Sequence, residues 1–395
     1  MLDLTKLARQ MQGISDHLTQ EAEAAQRRVE IARNLMTLAG NRQRDLVAQL
    51  EEHRDRIFFA AAEPIETLNT RIAIDPPPAA HSVISSDGSQ ISPSHHEIAY
   101  CYLLNISRVI IHYGQSRYPL LDSLPEVIYR PEDLYASRKW GIRTEEWMGY
   151  KRTAAEAIML SELGKMAADT QDADVPVLAL TDGSLIYWFL DQIPAKARDE
   201  ILKPVLAAWT QMKKARVPVM GYISASRSGE ALNFLRLQAC PYETPDCLTH
   251  CEEDRAQTPC NTFAPLRDVT LWSTALAPGE RGPLWKSSAD ILSFYGEHTV
   301  YFCYVHVGAE VARVEFPQWV VKDRELLNSA LSLMLAQVQK GFGYPVALAE
   351  AHNQAVVRGG DRTRFFTLLE QQMIRAGLKN VGTSFKEARK RGSIA

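Results

Sequence analysis

Apolar residues recur along this chain in two rhythms, one of about 3.6 and one of two, and they change places several times. Leu7, Met11, Ile14 and Leu18 follow one another at four, three and four, the stripe of an amphipathic helix. Val29, Ile31, Leu35 and Leu38 continue an apolar pattern. After a break at Gly40-Asn41, so do Leu46, Leu50, Ile57 and Phe58. Residues 1 to about 74 therefore read as helix. Asp75-Pro76-Pro77-Pro78 ends the region, because consecutive prolines cannot continue a helix.

Beyond the prolines, short apolar runs alternate with helical stretches. Ser82-Val83-Ile84 and Pro176-Val177-Leu178 read as strands, as does 217–223. The β-rich run from Ile98 to Tyr113 reads as a hairpin, and 120–141, with its prolines, as irregular. Residues 144–168 and 200–213 predict helices, and the chain changes character at 240–260. A hairpin is expected at 299–307 and 311–316, and helices at 326–340 and 362–376. The stretch opening at Tyr344 begins extended, and 386–391 is a basic tail. This order predicts an α/β chain with a mixed sheet behind an N-terminal helical region.

Composition narrows the picture. The chain has 395 residues, of which 46% are hydrophobic and 23% charged, enough for two or three modules with sizeable cores. The net charge of −3 leaves no overall basic field, so a nucleic-acid site would be a local patch. No run approaches the ~20 apolar residues of a membrane span. Met1 to Lys6 has no apolar signal core, and with six cysteines a reducing cytoplasm is expected.

Two aspartates stand out. Ser85-Ser86-Asp87-Gly88-Ser89 and Thr181-Asp182-Gly183-Ser184 each place Asp-Gly-Ser after a strand-like apolar run. One such triplet is most simply a turn. Two invite another reading, since carboxylates sharing one site repel unless a cation lies between them. On the intervening helix, Glu156 has Met159, Leu160 and Leu163 at helical spacing, which puts a carboxylate beside an apolar face. Glu162 lies in a more polar sector. His352, near Glu350 and eight residues after Tyr344, is a further candidate ligand, although a lone histidine there is more often structural.

Cys240-x6-Cys247-x3-Cys251-x8-Cys260, with His250 beside it, suggests zinc or, less readily, an iron–sulfur cluster. No Cys-x-x-Cys pair is present, so four ordinary reduced thiols are an equal reading. Arg227, Lys286 and Arg313, among other scattered basic residues, would hold a phosphodiester backbone by charge if they converged near the aspartates.

Asp87-Gly88-Ser89, Asp182-Gly183-Ser184-Leu185 and Tyr344-Pro345-Val346-Ala347-Leu348-Ala349-Glu350-Ala351-His352, in this order, resemble the NurA nuclease family over roughly residues 80 to 375. The resemblance implies an RNase H-like core and a manganese-dependent nuclease, with magnesium able to substitute. It implies 5′ to 3′ resection of DNA ends, cleavage of single strands, and a homodimer docked on a HerA-type hexameric translocase in double-strand break repair. By position, Asp87 and Asp182 would hold the metal together with a helix carboxylate, Glu156 or alternatively Glu162. His352 would be a further ligand or a proton-handling residue beside it, and Tyr344 would support the substrate or the metal shell. The implied organisation is a helical region at 1–74, a nuclease core at 80–230 and 299–380, a cysteine-containing insert at 231–298 and a basic tail at 381–395. The cysteine insert is not part of the general family pattern. Rival readings are a non-catalytic dimeric DNA clamp for a motor, or another RNase H-like recombination nuclease.

Overall fold

The computed structural model describes residues 3–11, 13–93, 100–172, 174–252 and 258–377. The start of the expected strand run at Ile98 and the basic tail at 386–391 lie outside them. The chain divides into two compact units. One comprises residues 1–74, 223–292 and 299–315, and the other 75–222, 293–298 and 316–395.

The first unit opens with helices α1 (Leu4–Gln10), α2 (Ile14–Asn41) and α3 (Gln43–His53). Helix then stops, earlier than the pattern suggested. Ile57 and Phe58 are not helical, and Glu63–Pro64 and Ile72–Ala73 are short strands. In α2, Ile31 and Leu38 are exposed, and the buried positions are Ala32 and Ala39. These small residues belong to one core with Leu46 and Leu50 of α3, Leu232 and Leu235 of the helix Glu230–Ala239, and Trp272, Trp285 and Phe302. Leu7, Met11, Ile14 and Leu18 remain exposed. The strands Val300–His306 and Val311–Pro317 form the expected hairpin. Trp285–Lys286 pairs antiparallel with Phe302 and Tyr301 on one side and with Glu63–Pro64 on the other.

The second unit is built on β1 (His81–Ser85), β2 (Gly88–Ile91), β3 (Tyr102–Tyr113), β4 (Leu120–Ile128), β5 (Val177–Asp182) and β6 (Val219–Ile223). β1 runs parallel to β5, and β5 parallel to β6. β3 pairs antiparallel with β1, β2 and β4. The sheet is therefore mixed, as expected. Two local expectations change. The run ending at Tyr113 is one long strand rather than a hairpin, and its partner is the 120–128 stretch that read as irregular. That stretch is largely exposed and carries Pro125, which is tolerated because β4 pairs along only one of its sides among the described residues.

Helix α4 (Thr144–Thr170) crosses the sheet through Gly164, where an added Cβ would lie 3.4 Å from Ile84 and 3.5 Å from Val217. Ile84, Leu160, Leu163 and Leu178 to Leu180 are buried in this unit, as are Ile201, Val205 and Trp209 of α5 (Ala195–Lys214). Three further helices follow: α6 (Arg324–Lys340), α7 (Val346–Ala355) and α8 (Gly359–Arg375). The Tyr344 to His352 stretch is thus mostly helical. Pro345 takes the N-cap position and the alanine-rich run after it propagates the helix.

A candidate carboxylate site at the strand ends

Parallel pairing brings the two aspartates together. Ser85 is in register with Leu180, so Asp87 and Asp182 each stand two residues further along neighbouring strands. The backbone at Asp87 is pinned to β3: its N–H donates to Ser107 Oγ at 2.8 Å, and Ser107 N–H donates to its carbonyl at 2.8 Å. One carboxylate oxygen of Asp87 accepts from Gly88 N–H at 2.8 Å. The other lies 3.1 Å from His352 Nδ1 on α7.

The two Asp-Gly pairs share residue types for different physical reasons. Gly183 has φ +99°, a left-handed conformation that favours glycine. Gly88 is needed for clearance: a Cβ there would stand 2.6 Å from Glu156 Oε1 and 2.7 Å from Arg152 Cγ. α4 thus presses Glu156 and Arg152 onto the backbone of the first aspartate's turn. Arg152 Nε sits 3.2 Å from Glu156 Oε1.

The electrostatics follow from this crowding. Burial, opposed by Arg152 and reinforced by Asp87 and Asp182, pushes the Glu156 carboxyl up to about 8. Asp182 is also raised, first by desolvation and then by Asp87. A hydrogen bond from Tyr344 and the nearness of His352 act the other way. Tyr344 is held before α7 by a tight turn. Phe342 and Gly343 have φ +54° and +120°, and a Cβ on Gly341 would meet the Tyr344 carbonyl at 1.9 Å.

Asp87, Asp182, Glu156, His352 and Tyr344 are therefore joined in one neighbourhood of the second unit. Glu162 is not: it is exposed and its charge acts on Arg108. Of the basic candidates, all in the first unit, Arg227 is exposed and Lys286 is paired with Glu63 at 3.2 Å. Arg313 is corrected. It is 2% exposed, between Glu230 at 2.9 Å and Glu315 at 2.8 Å, and has no surface to offer a nucleic acid.

Sequence reasoning missed Arg152 and the aromatic run Tyr187-Trp188-Phe189, five to seven residues after Asp182. Both help to line the cavity of about 500 Å³ that contains Asp87, Glu156 and Asp182. Trp188 is 46% exposed, an unusual position for the largest apolar ring, and that exposure could not be read from spacing.

The three carboxylates with an adjacent imidazole are a donor set suited to a hard divalent cation such as manganese or magnesium. Burial raises Glu156 and Asp182 first and the neighbouring carboxylates add to it, and a divalent charge placed there would oppose both effects. As they stand, no group of three or more His, Cys, Asp or Glu side chains among the described residues could hold a metal ion. No helix among them is long and apolar enough to cross a membrane.

The fold and the cleft define a mixed α/β protein with an acidic site where its parallel strands end. The profile of the NurA domain matches residues 81–357, well over half of the sequence, and the chain belongs to the NurA family. Its structure is similar to the crystal structure of the NurA nuclease from Sulfolobus solfataricus, with 13% sequence identity and a TM-score of 0.48 over 87% of this chain and 96% of that one. A search of curated proteins finds no match.

Proposed function

We propose that this chain is a metal-dependent DNA nuclease that hydrolyses phosphodiester bonds at the Asp87–Asp182 cleft. The observation that carries the reading is the meeting of Asp87, Asp182 and Glu156 beside His352 and Tyr344, with too little positive charge to balance them. Asp87, Asp182, Glu156 and His352 would hold manganese, or magnesium in its place. Bound there, divalent ions supply a nucleophilic water and charge neutralisation at the scissile phosphate. The chain's own groups do the rest. Tyr344 donates to Asp182 and holds that carboxylate in place. His352, exposed beside Asp87 at 3.1 Å, brings the imidazole of that ligand set to the mouth of the cleft. Arg152 offers a guanidinium to the phosphate backbone at the cavity wall.

The exposed Trp188 favours a substrate with unpaired bases, since a free indole face stacks on a base only once the strand is splayed. Resemblance to the NurA pattern supports a 5′ to 3′ direction, cleavage of single strands, partnership with a HerA-type translocase and a role in break repair. The exposed Leu7, Met11, Ile14 and Leu18 offer apolar area to a second copy of the chain. The deciding experiment is digestion of end-labelled single- and double-stranded DNA with manganese, magnesium or chelator. Wild type should cut only with metal, and Asp87→Asn should not cut. Chelator-resistant cutting, or full activity in the variant, would refute the reading.

A further inference from the structure

The first unit gathers four thiols in a small space. Cys240 caps the end of the helix Glu230–Ala239. Cys247 and Cys251 are one turn apart across the short helix Cys247–His250, with Cys251 N–H donating to the Cys247 carbonyl at 2.9 Å. Cys260 follows Pro259. Cys247 and Cys260 are buried, the other two half-buried, and all four are free of disulfides. They line one cavity of about 10 Å³.

That volume is room for a single water-sized particle. It suits one ion. Four sulfurs around one ion are the donor set of a structural zinc site. Of the other candidate ligands nearby, Asp246 is engaged by hydrogen bonds and His250 lies flat against a ring. The Asp246 carboxylate accepts from Arg56 Nε at 2.8 Å and from Thr249 N–H at 3.0 Å, while His250 stacks on Tyr242 with centroids 4.1 Å apart.

Arg236 supplies an independent indication. It is 9% exposed and lines the same cavity, and its Nε has no hydrogen-bond partner. Its Nη2 donates to Thr258 Oγ1 at 2.7 Å, the same hydroxyl that Cys260 Sγ approaches at 3.7 Å. A tetrathiolate zinc centre carries two net negative charges, and a buried guanidinium beside it gives that charge a partner.

We propose that Cys240, Cys247, Cys251 and Cys260 bind one zinc ion, which fastens the 240–260 segment to the end of the helix Glu230–Ala239. Among the described residues no three Cys, His, Asp or Glu side chains stand where they could hold a metal ion, so these sulfurs must move to bind one. Zinc draws the sulfurs inward as it binds, which couples metal affinity to the folding of this segment. With four protein ligands the centre is closed and takes no part in cleavage.

The test is metal analysis of the purified full chain by inductively coupled plasma mass spectrometry. One zinc per chain is expected after dialysis against a mild chelator, released when a mercurial titrates the thiols. Asp87→Asn should keep its zinc, whereas Cys247→Ser with Cys260→Ser should lose it. Should that double variant fail to fold, cobalt exchanged into wild type reports instead, through the visible absorption of tetrahedral cobalt thiolate. Wild type without zinc, zinc retained in the double variant, iron–sulfur absorbance, or cobalt bound without thiolate bands would each overturn the proposal. None of these readouts uses nuclease activity.

Discussion

Each unit of this chain contains a cluster of three carboxylates, and the two clusters are solved in opposite ways. In the first unit, Glu230, Glu315 and Asp268 are buried, and each has its partner. Arg313 lies between Glu230 and Glu315, and its guanidinium carbon is 3.6 Å from the centre of the Phe302 ring. Asp268 accepts from Tyr304 at 2.6 Å and from the N–H groups of Ala231 and Leu232 at 3.1 and 2.8 Å. Those two amides open the helix Glu230–Ala239, so Asp268 satisfies donors that a helix leaves unpaired. In the second unit, Asp87, Asp182 and Glu156 border an open cavity with one arginine and one exposed histidine. A compensated cluster holds a fold together. One only partly compensated, at strand ends and open to a cavity, is the kind of perturbed cluster that marks a candidate functional site.

The sharpest way to break this contrast is to neutralise one member of the open cluster. Asp87→Asn or Asp182→Asn should reduce metal-dependent cleavage to background in an end-label assay while leaving the melting temperature unchanged or higher. A comparable loss of stability would place these aspartates with the structural cluster. In the closed cluster the expectation reverses. Arg313→Ala removes the cation shared by two buried carboxylates and should cost about 3–5 kcal/mol in urea unfolding. Cleavage per folded molecule should be kept.

A smaller effect is expected at the cavity wall. Trp188→Ala should weaken single-strand binding by about 1–3 kcal/mol, the scale of one base stacked on an aromatic ring, with little change on blunt duplex. Equal weakening on both substrates would remove the stacking role.

The smallest effect is a pH dependence of the metal-free protein. Glu156 rises from the ordinary 4.5 to about 8, so the folded chain keeps a proton that the unfolded chain releases over this window. Its contribution to stability is present below the unfolded value and is lost as pH rises towards 8. In chelator, Glu156→Gln should therefore melt at nearly the wild-type temperature at pH 5 and a few degrees higher at pH 8. A parallel offset at both pH values would show that Glu156 does not titrate there.

Much of the second unit was legible because its buried parallel strands read as plain apolar runs that stop at Asp-Gly. Glu156 was legible for a related reason, as a carboxylate among Met159, Leu160 and Leu163. What escaped depends on partners far away in the chain. β4 looks like a loop because an edge strand tolerates proline and charge. Arg313 looks like a surface base because nothing in Val311–Pro317 reveals that Glu230 is opposite. Ile31 and Leu38 look like the buried stripe of α2, yet Ala32 and Ala39 hold that place, because close packing there favours small side chains. Trp188 was invisible because spacing records which residues are apolar and says nothing of which are left uncovered.

The contact between Gly88 and α4 has one more consequence. A notional methyl group there stands 2.6 Å from Glu156 Oε1, so the carboxylate has to shift to admit it. A single carbon atom at that position would push the Glu156 carboxylate and the Arg152 side chain off their present places, disturbing the cleft with every acidic residue still present. Activity here can be lost by crowding as readily as by deletion, so an intact set of acidic residues does not by itself certify a working relative.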